Sequence, residues 1–319
     1  MELARLLVER GADVNAIGKD GMLEGTPLWW AARAVSIGHG SDGVELARLL
    51  VERGADVNAL GKQGGYESTP LWLAMEAVAS NYPDGLELAR LLVQNECDVN
   101  VVAVWSDHES SALSLVIKAL WYGKWDGNPL QMDFVKVLLE NSAGRAKLDA
   151  VVKLPMGEAE GPPLWQATRA VESGKPGGLE LAKLLIEMGA DVNAVGMFGK
   201  NEITPLWWAA KAVERCGGQY ELELAKLMVE KGAKVNVVGK AHDCEGSPLW
   251  LAAHAWRNKG AAVGLELARL LVQRGADVNA VGRAFFSDST TPLMIAENAM
   301  KSGSPDLANI LGFQGDARK

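Results

Sequence analysis

Two kinds of amphipathic segment alternate along this 319-residue chain, and each has the apolar spacing of a helix. Residues 44–53 show the first kind, in which Arg48 and Glu52 are predicted to point away from a broad apolar face. That face consists of Leu46, Ala47, Leu49, Leu50 and Val51. Gly54 follows directly and is typical of a helix C-terminus. The pattern predicts a surface helix that ends at this glycine.

The second kind of segment begins with TPLWWAA, which stands at residues 26–32 and again at 204–210. Thr26 is suited to cap the N-terminus of a helix, and Pro27 fits its first turn. The apolar stripe that follows consists of Leu28, Ala31, Ala32, Ala34 and Val35. We therefore predict a helix that starts at Pro27 and ends near Gly38.

The two segments recur in the same order every 42 to 44 residues, apart from one interval of 51. Recurrence at a fixed period indicates a repeat architecture, in which each unit stacks on its neighbours. We predict a single array over residues 1–319. It comprises a half repeat at 1–25, repeats that start at 26, 69, 111, 162, 204 and 247, and a C-terminal capping repeat at 291–319. The repeat from 111 is irregular, because it lacks the TPLW motif.

The chain resembles the ankyrin repeat family through its TPLxxAA openings and its xLLxxGADVNA endings. The resemblance implies an all-α solenoid of stacked helix pairs joined by finger loops. The family period is about 33 residues, so we assign the extra length to extended first helices and long, irregular finger loops. A period near 42 also suits a HEAT-like solenoid, but GADVN followed by TPL is typical of the ankyrin finger turn.

Ankyrin arrays bind partners through their finger loops and the concave groove, and the resemblance extends both surfaces to this chain. Loop residues with exposed apolar or aromatic side chains are typical contact points. The finger candidates are Met22, Tyr66, Trp105, Met156, Phe198, Phe285 and Phe286. The alternative is that some of these side chains tuck under the neighbouring finger. The groove candidates, one helical turn after TPLW, are Arg33, Glu76, Lys118, Arg169, Lys211 and His254.

The groove candidates are mostly basic, although the net charge of the chain is −8. A basic stripe within an acidic protein would select an acidic peptide or an anionic group. The alternative is an ordinary solvated helix face, since Glu76 interrupts the stripe. Both interpretations remain open on the sequence.

A row of tryptophans occupies the TPLW position, where the family usually has histidine. Its members are Trp29, Trp72, Trp165, Trp207 and Trp250. Large flat rings at this position predict a structural ladder between repeats, and the alternative is a ligand cage. The second tryptophans of the doubled motif, Trp30 and Trp208, are best explained as core filling.

Composition narrows the function further. The pI near 5.2 argues against nucleic acid as a partner, and no apolar run approaches the roughly 20 residues of a membrane helix. Cys97, Cys216 and Cys244 indicate free thiols in a reducing compartment, so we expect a cytoplasmic protein. His242 and Cys244 share one loop, but a zinc site requires about four ligands. We therefore expect no metal, no cofactor and no enzymatic activity.

The sequence thus predicts a non-enzymatic scaffold that binds a protein or peptide through its groove and fingers. Two alternatives remain. In the first alternative, the chain is a structural element that stacks end to end, since its first helix is expected to expose an apolar face with Leu3, Leu6 and Leu7. Or it is an accessory interaction domain of a larger protein. The partner itself cannot be identified from a repeat fold.

Overall fold

A computed structural model gives the architecture of the chain. It describes residues 2–100, 103–105, 108–141, 147–153, 159–242, 244–259, 262–284 and 289–312, with the backbone alone at 104–105, 108–110, 141, 153 and 259. The described residues form two compact units, Met1–Lys147 and Leu148–Lys319. The boundary between them falls within the irregular repeat. Within the described residues, no helix is long and apolar enough to cross a membrane.

Each repeat contributes a first and a second helix, as the apolar pattern predicts. The first helices are α2 (Pro27–Ser36), α4 (Pro70–Ala79), α6 (Ala112–Trp121), α8 (Pro163–Glu172), α10 (Pro205–Cys216), α12 (Pro248–Lys259) and α14 (Pro292–Lys301). The second helices are α1 (Glu2–Glu9), α3 (Gly40–Glu52), α5 (Asp84–Gln94), α7 (Pro129–Asn141), α9 (Gly178–Glu187), α11 (Gln219–Glu230), α13 (Ala262–Gln273) and α15 (Asp306–Ile310). The prediction of a helical repeat solenoid is confirmed.

Both units are built from the same two kinds of helix contact. Each first helix packs on the second helix of its own repeat, as α2 does on α3 and α10 on α11. First helices also pack on one another along a unit, as in the run α8, α10, α12 and α14. The apolar core therefore lies between helices of neighbouring repeats, which is how a repeat protein gains its stability.

Helix starts follow the Thr-Pro signal. Thr26 caps α2 by accepting a hydrogen bond from the Trp29 backbone N–H at 3.4 Å, and Thr204 caps α10 in the same way. The proline that follows each cap sits in the first turn, where its missing N–H costs nothing. The predicted start of the first helix is thus confirmed.

The extra length of the repeat is divided between both helices. The first helices have 10 to 12 residues, while α3 has 13 and begins at Gly40, five residues before its Glu-Leu-Ala motif. The prediction assigns the added residues to the first helix and the finger loops, and the early start of α3 shows that a second helix also takes up part of them. Gly43 explains how α3 approaches α2 closely, because a Cβ at this position would lie 2.7 Å from the Val35 side chain.

The finger loops are β-hairpins, so the predictions of an all-α chain and of irregular loops are wrong. The strands are β1 (Gly18–Asp20), β2 (Leu23–Gly25), β3 (Gly61–Gln63), β4 (Tyr66–Ser68), β5 (Ala103–Trp105), β6 (His108–Ser110), β7 (Val152–Lys153), β8 (Ala159–Gly161), β9 (Gly196–Phe198), β10 (Asn201–Ile203), β11 (Gly239–Ala241), β12 (Cys244–Gly246) and β13 (Arg283–Ala284). Two-residue turns join β1 to β2, β3 to β4 and β9 to β10, and a left-handed residue such as Gly21 (φ 59°) supplies the required backbone.

Neighbouring hairpins pair with one another and form antiparallel sheets. In the first unit, β1 to β6 make one six-stranded sheet in chain order. In the second unit, the strand orders are β10-β9-β8-β7 and β11-β12-β13. The stacking of repeats brings successive fingers to strand-pairing distance, so their backbone hydrogen bonds are satisfied between repeats.

The asparagine of the GADVN motif ties one repeat to the next. Asn15 accepts a hydrogen bond from the Asp56 backbone N–H at 2.8 Å, and Asn236 accepts one from Asp277 at the same distance. The spacing between donor and acceptor is one repeat. This contact gives the repeated asparagine a structural role at the base of each finger.

Candidate partner-binding surfaces

The tryptophans of the TPLW row lie at the junction between one first helix and the next finger. Trp29, Trp165 and Trp207 are fully buried, and Trp250 is nearly so. The indole N–H groups of Trp29, Trp165 and Trp207 donate to the last residue of the second strand in the following finger. That of Trp250 donates to Thr290, just before α14. The four bonds are Trp29 to Ser68 Oγ at 3.3 Å, Trp165 to Ile203 O at 2.7 Å, Trp207 to Gly246 O at 2.8 Å and Trp250 to Thr290 Oγ1 at 3.1 Å. The row therefore links repeats by hydrogen bonds as well as by packed rings.

Glycines at the strand ends make room for these rings. A Cβ at Gly61 would lie 2.3 Å from the Trp29 ring, and one at Gly196 would lie 2.4 Å from the Trp165 ring. Distances below 3 Å leave no space for any side chain, so glycine and tryptophan are matched across the repeat boundary. Trp72 departs from the row, because it is only half-buried and contacts the Tyr66 ring at 5.4 Å.

The doubled tryptophans lie beside the row. Trp208 is fully buried and makes edge-to-face contacts with Trp165 and Trp207, at 5.8 and 5.1 Å between ring centroids. Trp30 is half-buried and makes a similar contact with Trp29 at 5.3 Å. The burial of Trp208 suits core filling, whereas Trp30 is only half-buried, so core filling at both positions and the role of the row as a ladder or a cage stay predictions.

The groove candidates of the first unit have different surroundings. Arg33 is half-buried, donates to Gln63 Oε1 at 2.5 Å, and lies 5.9 Å from the Trp29 ring centroid. Lys118 is half-buried, and burial lowers its pKa. Glu76 is exposed and lies within electrostatic reach of Arg33. The Arg33–Gln63 contact places a groove side chain directly against the next finger.

Two groove candidates of the second unit, Lys211 and His254, belong to an ion-pair network, whereas the third, Arg169, lies 5.3 Å from the Phe198 ring centroid. Lys211 Nζ lies 2.9 Å from Glu214 Oε2, and Glu214 Oε1 lies 3.2 Å from His254 Nδ1. The His254 ring also stacks on Trp250 at 4.7 Å between centroids. Desolvation opposes ionisation of Glu214, but the bonds from His254 and Lys211 outweigh it and lower its pKa to about 2. Burial lowers the pKa of Lys211, but the interactions with Cys244 and Glu214 raise it by more, so the net shift is upwards.

Two acidic residues close to the groove candidates of the second unit were missed by the sequence reasoning. Glu172 and Glu214 each follow a stripe residue by three positions, Arg169 and Lys211 respectively. Glu172 is buried and binds Arg215 of the next repeat at 3.2 Å. The spacing of three was the available signal, because residues three apart share a helix face. In the second unit, Glu214 therefore pairs with the stripe residue Lys211, whereas Glu172 pairs with Arg215 outside the stripe.

The finger candidates fall into three groups. Met22 is 80% exposed at the tip of the first hairpin. Tyr66 and Phe198 are half-buried, and Phe198 packs on Trp208 at 5.7 Å and on His242 at 5.0 Å. The remaining candidates lie outside the described residues: Met156, Phe285, Phe286 and the side chain of Trp105.

A row of alternating charges crosses the exposed face of the finger sheets. In the first unit, Lys19 pairs with Glu24 at 2.9 Å and Lys62 pairs with Glu67 at 3.3 Å. In the second unit, Glu245 lies 3.6 Å from Lys240 and 3.2 Å from Arg283. The sequence signal is the lysine at the centre of many first strands and the glutamate at the centre of second strands.

Metal ligands are not gathered anywhere in the part of the chain that is described: no group of three or more His, Cys, Asp or Glu side chains is placed to hold an ion. His242 is exposed on its finger turn, whereas Cys244 is buried, and burial raises the pKa of its thiol. Asp243 between them lies outside the described residues. Cys97 is also buried, and burial raises its pKa to about 12.

Comparison with known proteins gives a consistent picture. The ankyrin repeat family model matches residues 25–62, 201–240 and 246–283. The structure is similar to that of the Legionella pneumophila effector AnkC, with 15% sequence identity, a TM-score of 0.55, and coverage of 99% of this chain and 88% of that one. It is also similar to EF0377, an ankyrin repeat protein, with 17% identity, a TM-score of 0.46, and coverage of 77% and 96%. Comparison with curated proteins finds no match.

Proposed function

The chain is an ankyrin repeat protein, and we propose that it is a non-enzymatic scaffold that binds a protein or peptide through its groove and fingers. The observation that carries the proposal is the contact between Arg33 on the first helix and Gln63 on the next finger. It makes groove and finger one continuous surface, so a bound segment touches both. The rigid row beneath it, with buried Trp29, holds this surface in place.

The partner segment that suits this surface is acidic. In the first unit, Arg33 donates its hydrogen bond to the neutral Gln63, with the exposed Glu76 within electrostatic reach. In the second unit, Glu214 already matches the charge of Lys211. We therefore assign the acidic contact to the first unit. None of the three cysteines, which all lie in the described part of the chain, forms a disulfide, and this supports an intracellular setting for the interaction.

Charge reversal in the first groove tests the proposal. The double variant Arg33→Glu with Lys118→Glu is expected to reduce partner capture at least tenfold, because an acidic segment would then meet two negative side chains. The measurement is quantitative affinity capture from a lysate of the source organism with the tagged full chain. A far-UV circular dichroism melt of each variant shows whether the fold is retained.

The matched control is Arg48→Glu, which makes the same kind of charge change on the second helix α3. Arg48 is exposed and pairs with Glu87 at 2.9 Å, so its replacement costs little stability. Capture that is equal for the double variant and this control would contradict a groove site and move the contact to the fingers.

End-to-end assembly is the second candidate function. It is favoured by the exposure of Leu3, Leu6 and Leu7 on α1, at 70%, 47% and 51% respectively. Contacts between unlike ends of a repeat array propagate into filaments. Light scattering over a concentration series tests this candidate, and a monomeric mass at every concentration would exclude it. The variant Leu3→Glu with Leu6→Glu would abolish assembly through this face.

A further inference from the structure

We propose that an aliphatic row on the outer face of the fingers in the second unit is a docking surface for an amphipathic helix of a partner protein, with basic residues beside its apolar stripe. The row consists of Val151, Val195, Val238 and Val281. Each lies at the entry to a finger, and all four are 45% to 58% exposed. The site goes beyond the proposed function, because this face of the fingers is turned away from the groove.

The alternation of side chains places the row on the outer face. Gly196 follows Val195 and lies against the Trp165 ring, where a Cβ would be 2.4 Å away. Phe198, two residues further, lies 5.3 Å from the Arg169 guanidinium of the groove. Successive side chains of an extended segment point to opposite faces, so the valine side faces solvent. The same glycine-to-tryptophan contact follows the next two row members, as Gly239 on Trp207 and Gly282 on Trp250.

The exposure of the row does not depend on where the chain begins or ends. The finger of Val195 pairs with the preceding finger through β8 and β9, and α10 after it packs between α8 and α12. In the first unit the same position is again aliphatic and exposed, at Ile17 and Leu60. A single exposed aliphatic side chain is ordinary, whereas the same position in consecutive repeats is typical of an interaction surface.

A hydrogen-bond ladder holds the row in register. The turn before each row member donates a backbone N–H to a side chain of the preceding turn. The three bonds are Asp191 to Asp149 Oδ1 at 3.3 Å, Lys234 to Asn193 Oδ1 at 2.8 Å and Asp277 to Asn236 Oδ1 at 2.8 Å. The row is therefore preorganised, which reduces the entropic cost of binding.

The spacing of the row selects a helix. Its members follow one another at the repeat interval, which is roughly 8–10 Å for packed helices. A helix advances about 1.5 Å per residue, so apolar side chains seven residues apart recur after about 10.5 Å. Side chains on one face of a strand recur after only about 6.6 Å. An amphipathic helix with heptad spacing therefore matches successive fingers, whereas an extended segment does not.

Charge selects a basic helix. The turns beside the row carry Asp149, Asp191, Lys234 and Asp277, all exposed. The ion pairs described in the second unit do not include the three aspartates. On the other side of the row, Glu245 is paired with both Lys240 and Arg283. The excess of carboxylates favours a basic partner. It also opposes an anionic membrane and the row of a second copy.

The probe is a fluorescent peptide of three heptads, with leucine at the first and fourth positions, lysine at the fifth and seventh, and alanine elsewhere. As a helix it is roughly 30 Å long, which suits four successive fingers. A matched peptide has glutamate in place of lysine. We expect the lysine peptide to bind the full chain saturably and the glutamate peptide to bind about tenfold more weakly.

The triple variant Val195→Thr, Val238→Thr and Val281→Thr tests the apolar contact. Threonine keeps the branched Cβ and its preference for extended backbone, so it separates docking from a purely local role in strand formation. We expect the lysine peptide to bind about tenfold more weakly. The matched control has isoleucine at the same three positions, and it is expected to bind at least as tightly as the wild type.

The double variant Asp191→Asn with Asp277→Asn tests the charge. Asp191 Oδ1 accepts a hydrogen bond from the Asn193 N–H at 2.8 Å, and asparagine keeps this acceptor and its turn. We expect the lysine peptide to lose about threefold to fivefold in affinity. A peptide with glutamine in place of lysine is expected to be unaffected.

Methyl NMR locates the contact, since the valine signals of the row are expected to shift on addition of the peptide. Three results would overturn the proposal: no saturable binding, equal binding by the wild type and the threonine variant, or equal binding of the lysine and glutamate peptides. A concentration-dependent mass that the threonine variant abolishes would assign the row to a second copy instead, and binding to anionic phospholipid vesicles that it abolishes would assign the row to a membrane. These results do not depend on Arg33 or Lys118, so they leave the groove proposal intact.

Discussion

Replacing Trp207 by alanine is expected to lower the free energy of unfolding by about 3–5 kcal/mol, which is typical of a large aromatic removed from a core. The Trp207 ring is fully buried against the backbone of Gly239, where a Cβ would lie 2.7 Å away. Its removal opens a cavity that this tightly packed junction cannot refill. It also leaves the Gly246 carbonyl without the indole N–H that it accepts at 2.8 Å. Urea unfolding followed by far-UV circular dichroism measures the loss.

Two matched variants separate the causes of this loss. Trp207→Phe keeps much of the apolar area and removes the N–H, so we expect about 1–3 kcal/mol. Trp72→Ala removes the same residue type from a half-buried position, so it is expected to cost less than Trp207→Ala. A Trp207→Ala cost no greater than that of Trp72→Ala would contradict a structural role for the buried row.

The helical part of the fold was predictable because its signals are local. Thr26 and Pro27 specify a helix start through one side-chain hydrogen bond and one fixed backbone angle. The apolar spacing after them specifies the buried face. Neither signal depends on contacts with another repeat, so both can be recognised from the local sequence.

The fingers were mispredicted because their structure depends on stacking. The strands of the described hairpins have only two or three residues, and an isolated two-stranded hairpin is marginal in water. Gly21 and Gly64 with positive φ mark the two-residue turns and were a usable sign of hairpins. Pairing between β2 and β3 arises only when two repeats are placed side by side. That placement is not encoded in either loop alone.

The contacts of the groove candidates could not be predicted from their positions in the sequence. The spacing of one turn after TPLW located Arg33 and Lys211 next to the tryptophan row. This spacing did not predict the partner of each side chain, because the partners lie in the next repeat. Arg33 contacts Gln63 of the next finger, and Glu214 contacts His254 of the next repeat. Contacts across repeats depend on the rise and rotation of the stack. Among the described contacts, Arg33 is thus bound to a neutral side chain, whereas Lys211 is bound to a carboxylate.

Acid is expected to destabilise the second unit through Glu214. Its pKa is about 2 in the folded chain against an ordinary value of 4.5, so between these two values the unfolded chain binds the proton more readily than the folded one. The stabilisation is therefore complete above 4.5 and is lost as the pH falls towards 2. Allowing for solvent screening of a side chain that is 15% exposed, we expect a loss of about 2 kcal/mol.

Glu214→Gln tests this assignment, because glutamine keeps the shape of the side chain and does not titrate. The variant is expected to be less stable at neutral pH, where Lys211 and His254 lose their carboxylate, and to lose less stability than the wild type as the pH falls from 4.5 to 2. Glu230→Gln, at an exposed position of α11, controls for the removal of one carboxylate. Urea unfolding over a pH series measures all three proteins. Parallel stability profiles for wild type and Glu214→Gln would show that the Lys211–Glu214–His254 network does not hold the carboxylate ionised, since an ionised and hydrogen-bonded Glu214 must make the wild type the more acid-sensitive protein.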